Sequence, residues 1–273
     1  MGKLYVVGTP IGNLGDFSPR AVRTLEECDF IAAEDTRVTV KILNHFGIKK
    51  QMVSYFEHNR TQQGEKILER LLSGEVCALV TDAGMPAISD PGEDLVRLCH
   101  ENNIQVESVP GPCAFSTALA ISGMSSGRFT FEGFLSVTKN SRREHLASLK
   151  DEKRTMIFYE APHKLGATLK DMYENFGDRN IAIVREITKI HEEVIRTTFS
   201  EAVEKYADGS VKGEIVLIID GKKEEKKSVT LEDAVAIALE RIEEGFSKNE
   251  SAKYAAKITG IKKSDIYSEL TED

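Results

Sequence analysis

The chain has 273 residues, 41% hydrophobic and 29% charged, enough apolar material for a buried core and a length that suggests two domains rather than one. That balance excludes a disordered or fibrous chain. A formal charge of -8 excludes a surface that binds nucleic acid everywhere, so any RNA contact is expected at a local basic patch.

The amino terminus enters the apolar stretch Leu4–Val7, too short for a signal peptide's hydrophobic region and without a cleavage site after it. No stretch approaches membrane-spanning length, and Val6 stands where a myristoylation motif starting at Gly2 wants Ser or Thr, so a cytoplasmic protein without a membrane partner is expected. Leu4–Val7 instead opens a series of short β-branched runs that continues with Phe30–Ala33, Met52–Tyr55, Val76–Thr81 and Val106–Val109. Helix-periodic segments separate them, and this alternation predicts a parallel α/β sheet. Ser18 before Pro19 is expected to cap the first helix and Thr61 another, while Pro112 stands just before an apolar helix over Ala114–Ile121. Cys28, Cys77, Cys99 and Cys113 lack the close spacing of a zinc or redox site and read as reduced core residues, so no metal is expected.

After the punctuation Ser122–Gly127 the pattern restarts with Phe129–Phe134, Thr155–Tyr159, Ile181–Arg185, Glu193–Thr198 and Glu214–Ile219. This predicts a second α/β domain. Its strands at Ile181 and Val194 are joined by a short turn and should be antiparallel, making that sheet mixed. The charged run Lys222–Lys227 reads as a linker. Beyond it, Thr230 with Asp233 predicts a helix to about Glu244, Ser247 with Glu250 another ending near Gly260, and Ser264 the cap of a short third. The expected layout is an α/β domain over 1–120, a second over 121–222 and a helical extension over 223–273.

Ligands of open α/β sheets bind beyond the carboxyl ends of strands, which directs attention to the loops there. Gly8-Thr9-Pro10-Ile11-Gly12-Asn13-Leu14-Gly15-Asp16 follows the first strand and is neither a dinucleotide fingerprint nor a P-loop; alone it reads equally as a tight turn. Thr81–Gly92 is long, holds Asp82 and Asp90, and exposes backbone around Gly84 suited to the amino-acid end and ribose of a cofactor. Carboxylates and carbonyls also suit a sulfonium cation without a metal. Pro110-Gly111-Pro112 makes a rigid turn that serves either a binding wall or only the fold.

The strings Gly8–Leu14, Ala33-Glu34-Asp35-Thr36-Arg37, Thr81–Gly84, Ser89–Gly92, Pro110–Pro112 and Tyr159-Glu160-Ala161-Pro162-His163-Lys164 resemble the ribosomal RNA small-subunit methyltransferase I family of the tetrapyrrole methylase superfamily. The resemblance runs from about Leu4 through the tail, departing at Ala161, where the family often has Ser. It implies two α/β domains of tetrapyrrole-methylase type with S-adenosyl-L-methionine folded in the cleft between them, plus the small helical extension. It also implies a homodimer and 2′-O-methylation of a decoding-centre cytidine in 16S ribosomal RNA, as free RNA or within the small ribosomal subunit. Cofactor contacts are then expected at Pro10, Gly12, Asp82, Ala83, Gly84, Ile88, Ser89, Pro110, Gly111, Pro112, Tyr159 and Glu160.

A ribose hydroxyl is a weak nucleophile and needs alignment and help in losing its proton. Glu34 or Asp35 is the candidate base, the alternative being an N-cap and ion pair for the helix beginning near Thr36; Arg37 is expected to hold RNA phosphate. Arg185 and Lys189 lie in a charged turn that reads as RNA contact or as a solvated turn. His163 reads as a proton shuttle or as a helix-start residue, and Arg142-Arg143 as a solvated helix start or RNA contact. Met85, Met124 and Met156 are expected as filler. From Lys248 to Ser264 five bases face one acid, in a segment similar to a helix-turn-helix, so Lys253, Lys257, Lys262 and Lys263 are expected to bind RNA. The competing readings are a small-molecule tetrapyrrole methylase and a non-catalytic RNA-binding assembly factor.

Overall fold

The computed structural model describes residues 2–207, 211–223 and 230–271. The chain divides into two compact units, Met1–Lys223 and Glu224–Asp273.

In the larger unit, β1 (Lys3–Val7), β2 (Phe30–Ala33), β3 (Gln51–Ser54), β4 (Val76–Val80) and β5 (Gln105–Val109) form a sheet in the order β3-β2-β4-β1-β5, every pair parallel. Helices α1 (Pro19–Glu27), α2 (Thr36–His45), α3 (Arg60–Leu72) and α4 (Glu93–Glu101) are its crossovers. Successive strand residues point to opposite faces. Thus Phe30, Ala32, Cys77 and Leu79 pack in one cluster, and Ile31, Ala33, Ala78 and Val80 in another. Both faces are covered, which is why these strands read as continuous apolar runs.

Helix α5 (Ala114–Ser122) leaves β5 but packs on the second sheet: Ala118 and Leu119 join Ile157, Ala182, Val184, Val216 and Ile218. That sheet contains β6 (Phe129–Phe134), β7 (Thr155–Glu160), β8 (Asn180–Arg185), β9 (Glu193–Thr198) and β10 (Ile215–Ile219) in the order β6-β7-β10-β8-β9. β6 and β7 are parallel, the other pairs antiparallel, as the short β8–β9 turn predicts. Central β10 is 0% to 4% exposed at all five aliphatic positions. Burial of each such side chain stabilises by up to about 1.5–3 kcal/mol. Helices α6 (Lys139–Ser148), α7 (Leu165–Phe176) and α8 (Phe199–Lys205) cover the other face, supplying Leu146, Leu165, Leu169, Met172 and Phe199.

The smaller unit packs α9 (Leu231–Glu243), α10 (Lys248–Thr259) and α11 (Lys263–Glu269) around Ala234, Ala238, Ala252, Ala255, Ile266 and Leu270. Both expected capping boxes, Thr230 with Asp233 and Ser247 with Glu250, are formed. Two other caps differ. Asn59, not Thr61, precedes α3, its side chain accepting from Phe56 N and donating to Ser54 O. Lys262, not Ser264, precedes α11, and Ser264 lies inside the helix bonded to Asp265. Of the expected linker, Lys222 is tied to unit 1 by an ion pair with Asp151 (2.6 Å), and residues 224–229 lie outside the described residues. Among the described residues no helix is long and apolar enough to cross a membrane.

Candidate functional site

The loops after the strands of the first sheet are bound to one another before they bind anything else. Gly8 N donates to Val109 O (3.0 Å); Thr9 N donates to Gly84 O (2.8 Å) and Gly84 N to Thr9 O (3.2 Å). Buried Thr9 adds a hydroxyl bond to Thr81 O (3.1 Å). Gly8 and Gly111 meet backbone to backbone: a Cβ on Gly111 would stand 2.8 Å from the Gly8 carbonyl carbon, so neither position tolerates a side chain.

These contacts enclose a cavity of about 460 Å³, within the size range of small-molecule sites. Its first wall is the Thr81–Gly92 loop, which presents Asp82, Ala83, Gly84, Met85, Ile88, Ser89 and Asp90, with Glu34 beside it at the end of β2. Ala87 and Ser89 hold positive φ (67° and 65°), a local strain characteristic of ligand-binding loops. The opposite wall comes from the second sheet: Phe134, Tyr159 to Pro162, Ile187 and Glu214 to Val216, with Ile11, Cys113 and Ala114 between the two.

Glu34, Asp82, Ala83, Gly84, Ile88, Ser89, Tyr159 and Glu160 line one cavity. Pro10, Gly12, Pro110, Gly111 and Pro112 are not among the lining residues; they belong to the two loops that clamp it. Asp35 caps α2: its carboxylate accepts from Arg37 N (2.8 Å) and from the Arg37 guanidinium (2.6 Å), which hold it at about 2. The ion-pair alternative is what Asp35 displays, with Arg37 88% exposed.

The first wall is acidic and unpaired. Glu34 accepts from Thr81 Oγ1 (2.5 Å) and Asp82 N (3.4 Å), and Asp82 accepts from Asp35 N (3.1 Å). Burial pushes the Asp90 carboxyl up to about 7, with the charges of Glu34 and Asp82 adding to the rise against a lowering hydrogen bond from Thr81. Burial, then Glu34, also raises Asp82. Across the cavity Tyr159 is pushed up to about 12 by burial, and its hydroxyl accepts from Phe115 N (3.1 Å) at the start of α5. The Tyr159 ring packs on Phe131 and Phe134. Glu160 is 6% exposed and accepts from Ala161 N (2.7 Å) and Thr168 Oγ1 (2.5 Å).

Other expected residues lie apart. Arg185 pairs with Glu193 (2.5 Å), and Lys189 with Glu186 (2.9 Å) and Glu214 (3.0 Å), so both cations are already engaged. Arg142 is not a solvated helix start: it pairs with Asp171 (2.7 Å) in a largely buried contact, while His163 is exposed outside the cavity. Cys113 is half-buried on the cavity rim rather than in the core, unlike Cys28, Cys77 and Cys99. Lys253, Lys257, Lys262 and Lys263 are exposed. Sequence reasoning did not assign Asp90, Glu214 or Ile187 to the site; a second acid in the Asp82 loop was the one available signal. Among the described residues no group of three or more His, Cys, Asp or Glu is placed to hold a metal ion.

A model of the tetrapyrrole (corrin/porphyrin) methylases matches residues 3–203. A "Ribosomal RNA small subunit methyltransferase I" of Halalkalibacterium halodurans is 46% identical over 272 residues, covering 97% of this chain and 93% of its own. The protein of that name in Thermotoga maritima is 48% identical over 223 residues, 82% of this chain and all (100%) of its own. A solved structure of uroporphyrin-III C-methyltransferase from Thermus thermophilus complexed with S-adenosyl homocysteine superposes with a TM-score of 0.57 at 16% identity, covering 80% of this chain and 97% of the other, a likeness of fold. The chain belongs to the tetrapyrrole methylase family and, within it, to the ribosomal RNA small subunit methyltransferase I family.

Proposed function

We propose that the chain is an S-adenosyl-L-methionine-dependent methyltransferase of small-subunit ribosomal RNA that modifies the 2′-hydroxyl of a decoding-region cytidine in 16S RNA, as a cytoplasmic homodimer. The observation that carries this reading is the cavity itself: carboxylates and apolar side chains line it, and among the described residues no Lys, Arg or His does. Such a lining fits a ligand bearing positive charge and an apolar body. When bound, S-adenosyl-L-methionine supplies a methyl group on a sulfonium. Asp82 to Met85 and Ile88 to Asp90 would hold it from one wall and Tyr159 and Glu160 from the other. Pro10 to Gly12 and Pro110 to Pro112 would fix those walls in place, excluding water from the reacting hydroxyl.

Glu34 is the better candidate than Asp35 for taking the hydroxyl proton, because it lines the cavity while Asp35 is spent on Arg37 and the α2 cap. Lys253, Lys257, Lys262 and Lys263 present exposed cations for RNA phosphate, with Arg37, Arg185 and Lys189 contributing less because carboxylates already hold them. The proposed layout keeps two α/β domains, 1–120 and 121–222, and a helical RNA-contacting extension, 223–273.

The test is transfer of a labelled methyl group to small ribosomal subunits. Glu34→Gln should lower turnover on the order of 10²-fold or more, the usual contribution of a general base, and Asp35→Asn less than about tenfold. Equal losses in both variants would remove Glu34 from that role. Methylation of a tetrapyrrole but not of the subunit would replace the substrate assignment.

A further inference from the structure

The charge in the cavity is one-sided. Glu34, Asp82, Asp90, Glu160 and Glu214 line it, and among the described residues no Lys, Arg or His does. One of the five, Glu214, is paired with a cation, Lys189, and Glu160 is buried against α7 with a hydroxyl and a backbone amide donating to it. The other three sit together on the first wall. Asp90 is faced by Glu34 from the end of β2, by Asp82 and Thr81 from its own connection, and by Tyr159 from β7. Arg37 acts on Asp82 only through space, since its guanidinium is bound by Asp35. A carboxyl buried beside other carboxylates, with no cation among the described lining residues, is disfavoured in its ionised form. Burial and the Glu34 charge accordingly bring Asp90 to about 7.

We propose that Asp90, with Glu34 beside it in the cavity wall, gauges the charge of the ligand: its carboxyl retains a proton in the free protein and releases it when a cation enters, so the cavity prefers cationic S-adenosylmethionine over neutral S-adenosylhomocysteine. The preference must grow with pH. Below the titration of Asp90, a ligand that requires its ionised carboxylate gains roughly tenfold in affinity per pH unit, and above it the gain levels off. A ligand differing only by the missing methyl and its charge has no such requirement, which gives the protein a way to discharge the demethylated product. This inference rests on the cofactor reading given above.

The experiment is calorimetric titration of the full chain with S-adenosylmethionine and with S-adenosylhomocysteine from about pH 5.5 to about pH 8.5, in buffers of differing ionisation enthalpy. The affinity ratio should rise roughly tenfold per unit up to about pH 7 and then flatten, with about one proton released by the cationic ligand near pH 6 and none by the neutral one. Asp90→Asn should remove the slope, and Glu34→Gln, by deleting the repulsion, should move its midpoint to lower pH. A pH-independent ratio with both ligands bound would overturn the gauge while leaving the cofactor site standing. Binding of neither ligand would overturn both. A slope retained by an Asp90→Asn protein with a native circular dichroism spectrum would place the proton elsewhere and overturn the role of Asp90.

Discussion

The two walls of the cavity use the same kind of residue to opposite ends. On the second-sheet side Glu160 is buried and bonded to Thr168 and Ala161, and Glu214 is paired with Lys189, a cation of the fold itself. On the first-sheet side Glu34 and Asp82 accept from a hydroxyl and backbone amides, with no ion pair among the described residues, and burial, with the Glu34 charge adding, brings Asp90 to about 7. Strand geometry explains the difference. Glu160 ends β7 over α7, whose Thr168 reaches it, whereas the first-wall acids sit on or beside the crossover loops of a parallel sheet, where α/β folds place their ligands. A carboxylate paired with a cation of its own fold contributes stability, whereas a raised carboxyl in a cleft is a candidate for ligand contact.

The largest expected effect comes from removing the support beneath both walls. Gly111→Ala forces a Cβ to 2.8 Å from the Gly8 backbone, and the two loops must separate. A loss of roughly 3 kcal/mol in urea denaturation is expected, with loss of cofactor binding. A near-neutral result would mean that the clamp yields without consequence and that the walls are positioned by other contacts.

The contrast between walls is sharpened by deleting one hydroxyl from each. Thr168→Val leaves the buried Glu160 carboxylate short of a donor and should cost about 2 kcal/mol, the range for a hydrogen bond to a charged group. Thr81→Val removes the equivalent donor from half-exposed Glu34 and should cost about 1 kcal/mol, with a greater effect on cofactor affinity than on stability. Equal stability losses measured by denaturation would erase the distinction drawn here.

A smaller effect concerns the dependence of stability on pH. The Asp90 carboxyl lies at about 7 in the folded chain and near 3.8 when free, so between those values the folded chain binds more protons than the unfolded one. Its contribution is present at low pH and is lost as pH rises from about 4 through about 7. Asn does not titrate, so the melting temperature of the parent relative to Asp90→Asn should fall across that window. Parallel melting profiles for the two proteins would show that the first wall is not carrying this charge.

Much of the fold was legible because its signals are local. Apolar runs with β-branched residues mark all ten strands to within about a residue at their ends, and the boxes at Thr230 and Ser247 close over three residues of chain. The family, too, was legible in short strings such as Gly8–Leu14 and Thr81–Gly84, each contained in one loop. Caps failed where neighbouring polar residues compete: Asn59 precedes α3 although its side chain serves the preceding turn, and Ser264 bonds to Asp265.

What only the tertiary structure decided depends on which strand ends become neighbours. Asp35 and Glu34 are adjacent in the chain and equivalent as sequence, yet one turns into the cap of α2 while the other reaches Thr81, 47 residues away, across the β2–β4 pair. Gly8 and Gly111 look like two separate turns until β1 and β5 pair in parallel and bring their ends together. Arg142 finds Asp171 on the adjacent helix and is withdrawn from solvent. The local pattern sets what each segment can form within one turn or strand; the order of strands in the sheet sets which carboxylates meet a cation and which are left facing one another, and that is what makes the cavity acidic.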